Sequence, residues 1–313
     1  MKKLLTTALV TGVLATAASV ASAGEIAVIV KTTNSSFWQN VNKGASAAIE
    51  GHSEHTMTFN GPASESAIAD QVALVENAIN RGVAGIVLAP SDPEALAPVV
   101  RRAFEAGIPM AIIDSGLAEG SEQYYQAFLS TDNCAAGEQA AQMMIDNTGK
   151  EGKVAVMSYV AGVGSEIGRV GCFVEYIGEN SDIEIVGPLY SQSQMATALN
   201  QTTDLLAANN DLTGIFGANE PTAIGMGRAI EQAGKAGQLV AIGFDGNADL
   251  QDMVKSGTLL ATAVQGSFQM GELGVNAVAD ILAGTPVTDF IDTGVVMVTK
   301  ENIDTPVAQN VLY

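Results

Sequence analysis

The sequence predicts an α/β protein built from doubly wound parallel sheets, and three observations lead to this prediction. Short apolar runs alternate with amphipathic stretches along almost the whole chain. The apolar runs are continuous, as expected for strands that helices cover on both faces. The alternation continues past residue 130 with similar spacing. About 290 residues follow residue 23, and a single compact core usually contains fewer residues than this. We therefore expect two comparable α/β halves.

Eight apolar runs are predicted to be strands. In chain order they are residues 26–30, 84–88, 110–113, 154–157, 183–186, 213–216, 239–242 and 259–264. The stretches between them carry apolar residues at helical spacing. In the stretch 64–80 this face consists of Ile68, Val72, Val75 and Ile79. A boundary between the halves is expected at residues 129–133, where a strand ends and a new helix begins.

The first 23 residues have the three parts of a secretory signal. Lys2 and Lys3 precede the apolar run 4–20, and the small residues 21–23 end it with an Ala-x-Ala cleavage site. The alternative is an N-terminal membrane anchor, but a durable span needs about 20 predominantly apolar residues, and Thr and Ser interrupt this run. No cysteine follows closely enough to carry a lipid. We therefore expect a free periplasmic protein that has lost residues 1–23.

The composition excludes several classes of partner. Without Lys2 and Lys3 the chain has 12 basic residues against 34 acidic ones, and this excess repels nucleic acid and anionic membranes. With 47% hydrophobic residues the chain is apolar enough to bury cores. Its only cysteines are Cys134 and Cys172, each a few residues into a predicted helix. An oxidising compartment allows a disulfide between them, and two buried thiols are the alternative.

The loops that follow the strands form the predicted binding region, because ligands of open parallel sheets bind at the carboxyl ends of the strands. These loops are residues 31–38, 89–93, 114–116, 160–169, 217–221, 244–246 and 265–268. Phe37 and Trp38 offer flat apolar faces for C–H groups. Donors and acceptors for hydroxyl groups are Asp114, Arg169, Asn219, Asp245 and Gln265. Aromatic faces beside groups of both charges favour a small polyhydroxyl ligand.

Each of these residues also has a purely structural interpretation. The two aromatic residues could fix the start of a helix. Asp114 and Asp245 could cap the segments that follow them, and Arg169 could pair with Glu166. The joint placement of all these residues at strand ends favours the binding interpretation.

Cofactor binding and catalysis find little support. Residues 162–168 space their glycines one residue too widely for a dinucleotide-binding fingerprint. His52, Glu54 and His55 resemble a metal site, but no cysteine or third histidine lies nearby, so a solvated loop is expected. Neither histidine lies in a strand-end loop, and no Gly-x-Ser-x-Gly elbow occurs. We therefore expect no enzyme, no cofactor and no metal.

Eight motifs occur in order between residues 25 and 300. They are Lys31-x5-Phe37-Trp38, LAPSDPEAL (88–96), PMAIIDSG (109–116), STDNCAAG (130–137), GRVGCF (168–173), GANEPTAIG (217–225), IGFDG (242–246) and AVQGSFQMG (263–271). With these motifs the chain resembles the periplasmic monosaccharide-binding proteins of ABC importers. The resemblance is to the ribose, arabinose and galactose type, which is related to the ligand domains of LacI-type repressors.

The resemblance implies the type I periplasmic binding protein fold, in which a three-strand hinge joins two doubly wound domains. Each domain is then discontinuous. The N-terminal domain is expected to comprise residues 24–132 plus 266–296, and the C-terminal domain residues 133–265 plus 297–313. Ligand is expected to bind in the cleft, and the domains to close over it by a hinge motion.

The resemblance also assigns a role to each site residue. Asp114 would accept hydrogen bonds from sugar hydroxyls, Arg169 would donate two in fork geometry, and Lys31 would donate to a ring oxygen or hydroxyl. The sugar ring would be sandwiched by Phe37 and Trp38. The second-domain and hinge side would be lined by Asn219, Asp245 and Gln265.

Four positions depart from the ribose-type pattern. Ser115 stands where ribose-type binders carry an arginine, and Ser35 stands where a loop asparagine is expected. Ala89 replaces another asparagine, and Ser193 replaces an aromatic residue. These departures argue against ribose and favour another pentose, a hexose, a sugar alcohol or a cyclitol.

The predicted function is a monomeric periplasmic solute-binding protein that delivers a monosaccharide or polyol to an ABC permease in the inner membrane. The alternative is a sensory protein that docks on a chemoreceptor or sensor kinase, with a furanosyl signal molecule as ligand. A lysine at the Lys31 position also occurs in binders of that type. A cytoplasmic repressor is excluded because the sequence has no helix-turn-helix and begins with a signal.

Overall fold

The computed structural model describes residues 24–313, which form two six-stranded sheets. The predicted signal at residues 1–23 lies outside the described residues. In spatial order the first sheet comprises β2 (His55–Asn60), β1 (Gly24–Ile29), β3 (Gly85–Leu88), β4 (Met110–Ile113), β5 (Ala127–Ser130) and β11 (Phe290–Asp292). The second comprises β7 (Asp182–Tyr190), β6 (Glu151–Ser158), β8 (Gly214–Gly217), β9 (Val240–Phe244), β10 (Ala261–Gln265) and β12 (Val295–Thr299).

Helices cover both faces of each sheet. On the first sheet lie α1 (Ser36–Ile49), α2 (Ile68–Arg81), α3 (Pro93–Glu105) and α9 (Ser267–Leu282). On the second lie α4 (Asn133–Thr148), α5 (Gly164–Asn180), α6 (Met195–Ala208), α7 (Glu220–Gln232), α8 (Ala248–Ser256) and α10 (Pro306–Gln309). Each sheet with its helices is called a domain below. Between residues 24 and 313, no helix has the length and apolar character needed to cross a membrane.

All strand pairs are parallel except β10 with β12, which is antiparallel. Strand β4 shows why the strands are continuous apolar runs. Ala111 and Ile113 join the core on one face of the sheet, whereas Met110 and Ile112 join the core on the other. Because successive side chains of a strand point to opposite faces, a strand covered twice is apolar at every position.

The eight predicted strands all occur, with bounds shifted by a few residues. The eight runs do not include β2, β5, β11 and β12. Strand β2 lies at the edge of its sheet and is only partly buried, so its sequence His55–Asn60 lacks a continuous apolar run. Strand β11 is three residues long and pairs only with β5.

The chain crosses between the two sheets at three places. It leaves the first sheet after β5, whose last residue is Ser130, and enters α4 of the second domain at Asn133. It returns after Gln265 through α9, which packs on α1 and on β3 to β5. It crosses again between Asp292 of β11 and Val295 of β12. Val295 lies two positions before the boundary expected at residue 297.

Each domain contains closely packed helices, α1 with α9 in the first and both α4 with α5 and α6 with α7 in the second. In the first domain, a Cβ at Gly44 of α1 would lie 1.9 Å from the carbonyl oxygen of Phe268 on α9. In the second, a Cβ at Gly137 of α4 would lie 2.2 Å from the carbonyl oxygen of Arg169 on α5. Only glycine permits such approaches. A disulfide between Cys134 and Cys172 also links α4 to α5, with their Cα atoms 5.2 Å apart.

The sequence predicted a solvated loop at residues 52–55, and this prediction is wrong for His55. His55 is the first residue of β2 and only 6% exposed. His52 is partly exposed, and its Nε2 lies 2.8 Å from Oδ1 of Asn276. Among residues 24–313, no three His, Cys, Asp or Glu side chains are grouped so that they could hold a metal ion.

Candidate functional site

One cavity between the two domains brings together all nine residues that the sequence singled out. It is lined by Lys31, Ser35, Phe37, Trp38, Glu65, Asp114, Tyr159, Ser165, Arg169, Asn219, Glu220, Pro221, Asp245 and Gln265. The cavity measures about 20 Å³, which is room for about one water molecule. The domains are therefore closed tightly, and the polar side chains of the cleft bond to one another.

Lys31 and Asp114 form a buried ion pair at the first-domain wall of the cavity. Lys31 follows β1 and Asp114 follows β4, two strands whose carboxyl ends lie at the same edge of the sheet. Lys31 Nζ lies 2.6 Å from Asp114 Oδ2, and it donates to Ser115 Oγ at 2.6 Å and to Ser165 Oγ of the second domain at 3.4 Å. Asp114 Oδ2 also accepts from Ser115 Oγ. Asp114 therefore does not cap the segment that follows it.

Arg169 is held rigidly inside the second domain. Its Nε and Nη2 donate to Asn133 Oδ1 at 3.1 and 2.7 Å, and its Nη1 donates to the carbonyl oxygen of Ala218 at 2.6 Å. The guanidinium carbon lies 3.6 Å from the centre of the Phe244 ring. The fork that the family resemblance directed at a sugar therefore binds Asn133 in this arrangement. The alternative pair with Glu166 does not form either, since Glu166 accepts from Ser158 and Gly162.

Asp245 and Gln265 continue this network toward the hinge. Gln265 accepts from Arg169 Nη2 at 3.1 Å and donates to Asp245 Oδ1 at 2.8 Å. Asp245 Oδ2 accepts from the backbone N–H of Glu220, the first residue of α7, at 2.9 Å. Asp245 thus serves the start of α7, whereas the helix that follows it, α8, is capped by Asn247.

Phe37 and Trp38 do not form the sandwich that the resemblance implied. Their ring centres are 4.8 Å apart and the ring planes stand at 89°, so the edge of one ring contacts the other and no sugar ring fits between them. Both side chains belong to the first-domain core, with exposures of 5% and 2%. Both rings therefore pack in the core of the first domain, and only the ring faces that border the cavity are available to stack on a sugar.

Two of the predicted residues also cap helices. Ser35 is the N-cap of α1, and its hydroxyl accepts from the backbone N–H of Trp38. Asn219 is the N-cap of α7; its Oδ1 accepts from the N–H of Thr222, and its Nδ2 donates to Ser193 Oγ. Capping fixes these side chains at the cavity wall.

Comparison with known protein families decides the class of the molecule. Residues 26–286 match the periplasmic binding protein domain. The chain belongs to the periplasmic binding protein family. Its two α/β domains have the type I architecture of solved structures in this family.

Two named relatives illustrate where this periplasmic binding protein lies within its family. It is 30% identical over 264 residues to the D-allose-binding periplasmic protein of Escherichia coli, a match that covers 83% of this chain and 85% of the relative. A crystal structure of an ABC transporter solute-binding protein from Agrobacterium vitis with bound D-fucose is 71% identical. The match has a TM-score of 0.92 and covers 93% of this chain and all of the other.

Sequence reasoning missed five residues that line the cavity of this periplasmic binding protein: Glu65, Tyr159, Ser165, Glu220 and Pro221. Glu65 follows β2, a strand that the apolar pattern does not show. It accepts from Trp38 Nε1 at 2.8 Å and from Ser193 Oγ of the second domain. Ser165, Glu220 and Pro221 lie inside the predicted binding loops, and Tyr159 directly precedes one of them. A search of those loops for every polar side chain would have found Ser165 and Glu220.

Burial changes the acidity of the second-domain carboxyl groups. Desolvation is the main cause that raises the pKa of Asp245 to about 6, and the Arg169 charge opposes it. Desolvation, followed by repulsion from Asp245, raises the pKa of Glu220 to about 7, whereas the hydroxyl of Tyr313 opposes the rise. Desolvation also raises the pKa of Tyr159, which donates or accepts a hydrogen bond with Ser165 Oγ at 2.9 Å. These groups act as hydrogen-bonding partners inside a buried cleft.

Proposed function

We propose that this protein captures a neutral monosaccharide in the interdomain cleft, with D-fucose as the first candidate, and delivers it to an ABC permease. The observation that carries the proposal is the convergence of nine polar and aromatic residues from both domains on one buried cavity. Donors and acceptors of both charges can satisfy the hydroxyl groups of a sugar, and desolvation strengthens each such hydrogen bond.

The charges around the cavity favour a neutral ligand. Lys31 Nζ is already paired with Asp114. The Arg169 guanidinium already donates hydrogen bonds to Asn133, to the carbonyl oxygen of Ala218 and to Gln265. Glu65, Glu220 and Asp245 add three carboxyl groups without a cation in direct contact. A phosphorylated or carboxylated sugar would add a further buried negative charge, which is costly without a free partner.

The relatives support a monosaccharide and suggest which one. The Agrobacterium vitis protein with bound D-fucose shares 71% of its aligned residues with this chain. D-Fucose carries a methyl group where D-galactose carries a hydroxymethyl group, so the pair tests one position of the site. Because these relatives are sugar-binding proteins and transporter components, the sensory alternative is not favoured.

Domain organisation follows from the same proposal. The N-terminal domain would comprise residues 24–132 plus 266–296, and the C-terminal domain residues 133–265 plus 297–313, with the three crossings as the hinge. The crossings at residues 130–133 and 265–267 support the first two boundaries. The crossing at residues 292–295 favours a third boundary about two residues earlier than 296, because β12 of the second sheet begins at Val295. We further propose that the protein works as a monomer in the periplasm, because both walls of the cleft come from one chain.

The site residues keep the roles of ligand contacts in this proposal. Hydrogen bonds to the sugar would come from Lys31, Ser35, Asp114, Arg169, Asn219, Asp245 and Gln265, with Phe37 and Trp38 as apolar faces. Since the closed cavity measures about 20 Å³, the domains must separate to admit a sugar and then close around it. The hydrogen bonds within the cleft would be exchanged for bonds to the ligand, so little polar surface would be left unpaired.

Isothermal titration calorimetry of residues 24–313 with D-fucose, D-galactose, L-arabinose, D-allose, D-ribose and xylitol tests the proposal. We expect D-fucose to bind, and Asp114→Ala to weaken it at least about 30-fold, because a buried polar contact loses one partner. The exposed Asp70 on α2 provides the matched control variant, Asp70→Ala, which should bind as the wild type does. If the folded protein binds none of these compounds, the proposed function is wrong.

A further inference from the structure

The carboxylate of Glu220 reaches across the cleft and binds backbone of the other domain. Glu220 is the first residue of α7 in the second domain and is only 3% exposed. Its Oε1 accepts from the N–H of Ser36 at 2.9 Å, and its Oε2 accepts from the N–H of Phe37 at 3.0 Å. Both donors belong to the first turn of α1 in the first domain.

These two N–H groups have no partner within their own helix. The first four N–H groups of any α-helix lack an intrahelical acceptor. In α1 the N–H of Trp38 is served by the Ser35 hydroxyl, and the N–H of Gln39 donates to the Ser35 carbonyl oxygen. Ser36 and Phe37 are completed by the second domain alone. When the domains separate, only water can replace Glu220 at this helix start.

The second domain fixes the position of the Glu220 side chain. Its backbone N–H donates to Asp245 Oδ2 at 2.9 Å, and the hydroxyl of Tyr313 donates to its Oε2 at 3.1 Å. Asn219 caps the same helix turn. Glu220 is therefore joined on one side to Asp245, a proposed sugar contact, and on the other to the helix that carries Phe37 and Trp38.

We propose that the Glu220 carboxylate and the backbone amides of Ser36 and Phe37 form a latch that sets how long the closed form persists. This latch rests on the proposed function, since it holds the cleft closed around a captured sugar. Glu220 is a positioning residue in this scheme. Its loss lowers the affinity for every sugar that closes the cleft by the same factor, whereas the loss of a sugar contact changes the ratio between sugars.

The latch differs from the other contacts that cross the cleft in joining a carboxylate to two backbone amides. The N–H of Ser165 at the start of α5 also crosses, but its acceptor is a single neutral hydroxyl, Ser115 Oγ, at 3.3 Å. Lys31 to Ser165 and Ser193 to Glu65 join side chains, which can turn away into solvent as the domains move. Backbone amides of a helix cannot turn away from the helix axis. A carboxylate at a helix N-terminus is in addition favoured by the helix dipole.

Amide hydrogen exchange in the ligand-free protein tests the latch directly. In Glu220→Ala, the amides of Ser36 and Phe37 should exchange about 10- to 100-fold faster than in the wild type, the range expected for the loss of a hydrogen bond to a charged group. The amide of Trp38 is the internal control, because its acceptor Ser35 belongs to the same domain. Unchanged exchange at Ser36 and Phe37 overturns the latch.

Stopped-flow release of D-fucose gives the second readout. Glu220→Ala should raise the dissociation rate about 10- to 100-fold, and by the same factor for a weaker sugar. Glu94→Ala is the matched control, because Glu94 lies in the exposed first turn of α3. Glu220→Gln retains the shape and one acceptor, and should show a smaller rise. It also serves as the test variant if the alanine variant fails to fold.

The outcomes separate the latch from the proposed function. If the wild type binds no sugar, the proposed function is wrong, and amide exchange still decides whether the latch exists. If the wild type binds D-fucose and Glu220→Ala releases it at the wild-type rate, the latch is wrong and the proposed function stands. If Glu220→Ala loses one sugar much more than another, Glu220 is a sugar contact and the positioning role is wrong.

Discussion

Asp114 and Asp245 occupy equivalent places in the two domains. Each follows the fourth strand in the spatial order of its sheet, β4 or β9. Each adopts a left-handed backbone conformation, with φ of 63° and 80°. The backbone carbonyl oxygen of each accepts a hydrogen bond of 2.6 Å from a hydroxyl group on the next strand. The donor is Ser130 for Asp114 and Thr262 for Asp245. A left-handed conformation is uncommon outside glycine, so the surrounding strands hold both backbones in place.

The partners of these two aspartates differ. The Asp114 carboxylate contacts the Lys31 ammonium at 2.6 Å. The Asp245 carboxylate accepts from two neutral donors, the N–H of Glu220 and the Gln265 amide, and burial raises its pKa to about 6. The strand end therefore decides where the carboxyl group lies, and the neighbouring side chains decide whether its partners are charged or neutral.

The starts of α1 and α5, the helices that follow β1 and β6, show a similar contrast. The start of α1 meets a carboxylate of the second domain, Glu220. The backbone at the start of α5 meets neutral groups of the first domain. The N–H of Ser165 donates to Ser115 Oγ at 3.3 Å, and a Cβ at Gly164 would lie 2.9 Å from the carbonyl oxygen of Gly116.

Removing the cation should expose the largest difference between the two aspartates. Lys31→Met leaves the Asp114 carboxylate buried without its charged partner, and we expect the free energy of unfolding to fall by about 3 to 5 kcal/mol. Asp245→Asn retains an acceptor for the N–H of Glu220 and removes a charge that lacks a direct cation, so its loss should be clearly smaller. Urea denaturation followed by circular dichroism measures both. Equal losses would contradict the comparison.

Reduction of the disulfide should affect the α4–α5 pair of the second domain and leave the α1–α9 pair of the first domain unchanged. Cys134 and Cys172 are separated by 38 positions, and opening a loop of this size should lower the free energy of unfolding by about 2 to 4 kcal/mol. The loss should appear as faster amide hydrogen exchange in α4 and α5 than in the oxidised protein, whereas the exchange rates in α1 and α9 should not change. The double variant with Ser at both positions, measured beside the reduced wild type, checks that the effect is due to the bond. Equal loosening of α1 and α9 would show that the domains unfold as one unit.

A methyl group at the start of α5 should hinder domain closure. Gly164→Ala places a Cβ against Gly116 of the opposite domain only when the cleft is closed, so affinity for the sugar should fall by about 10-fold, the effect of about 1.4 kcal/mol. Gly171→Ala is the matched control, because that glycine of α5 has open space around it and alanine favours helices. Calorimetry measures affinity, and thermal melting checks the fold. Equal affinities in both variants would show that the domains close less tightly.

The pH dependence of stability should report the carboxyl groups of the second domain. The pKa values of Glu220 and Asp245 are raised to about 7 and about 6 in the folded chain. Between about pH 4 and pH 7 the folded state therefore binds more protons than the unfolded state at these groups, and their contribution to stability falls as pH rises. Glu220→Gln should make the slope more positive by up to about 1.4 kcal/mol per pH unit near the middle of this window. Parallel pH profiles of variant and wild type would show that Glu220 has an ordinary pKa.

The pattern of apolar runs predicted the fold class, and the loops that follow these runs predicted nine residues that line the cavity. A strand that helices cover on both faces is apolar at every position, so β1, β3 and β4 can be recognised in the sequence as continuous apolar runs. The loops that follow such strands meet at one edge, so Lys31 and Asp114 were expected in the same binding region. Their ion pair is a finding of the structure and was not predicted. The sequence left the pairing of Cys134 with Cys172 undecided, because no pattern in it shows that α4 lies beside α5. Cys134 does lie at the start of α4, but Cys172 lies in the middle of α5, not a few residues from its start.

The remaining features depend on contacts that sequence periodicity does not record. Glu65 follows β2, an edge strand whose partly exposed residues give no apolar run. The fork of Arg169 binds Asn133, which is 36 positions away and belongs to the preceding helix. Phe37 and Trp38 pack edge to face because both also fill the core. Orientation of a side chain depends on such neighbours, whereas its position in the fold depends on the strand.

The sole tryptophan of the chain lies where the two domains meet. Its indole N–H is bonded to Glu65, and Glu65 in turn accepts from Ser193 on the opposite domain. Indole emission is sensitive to hydrogen bonding and to water, so the natural fluorescence of Trp38 should change when the cleft opens or fills. The protein thus carries its own optical signal of occupancy, and a sugar sensor could be developed from it without an attached dye.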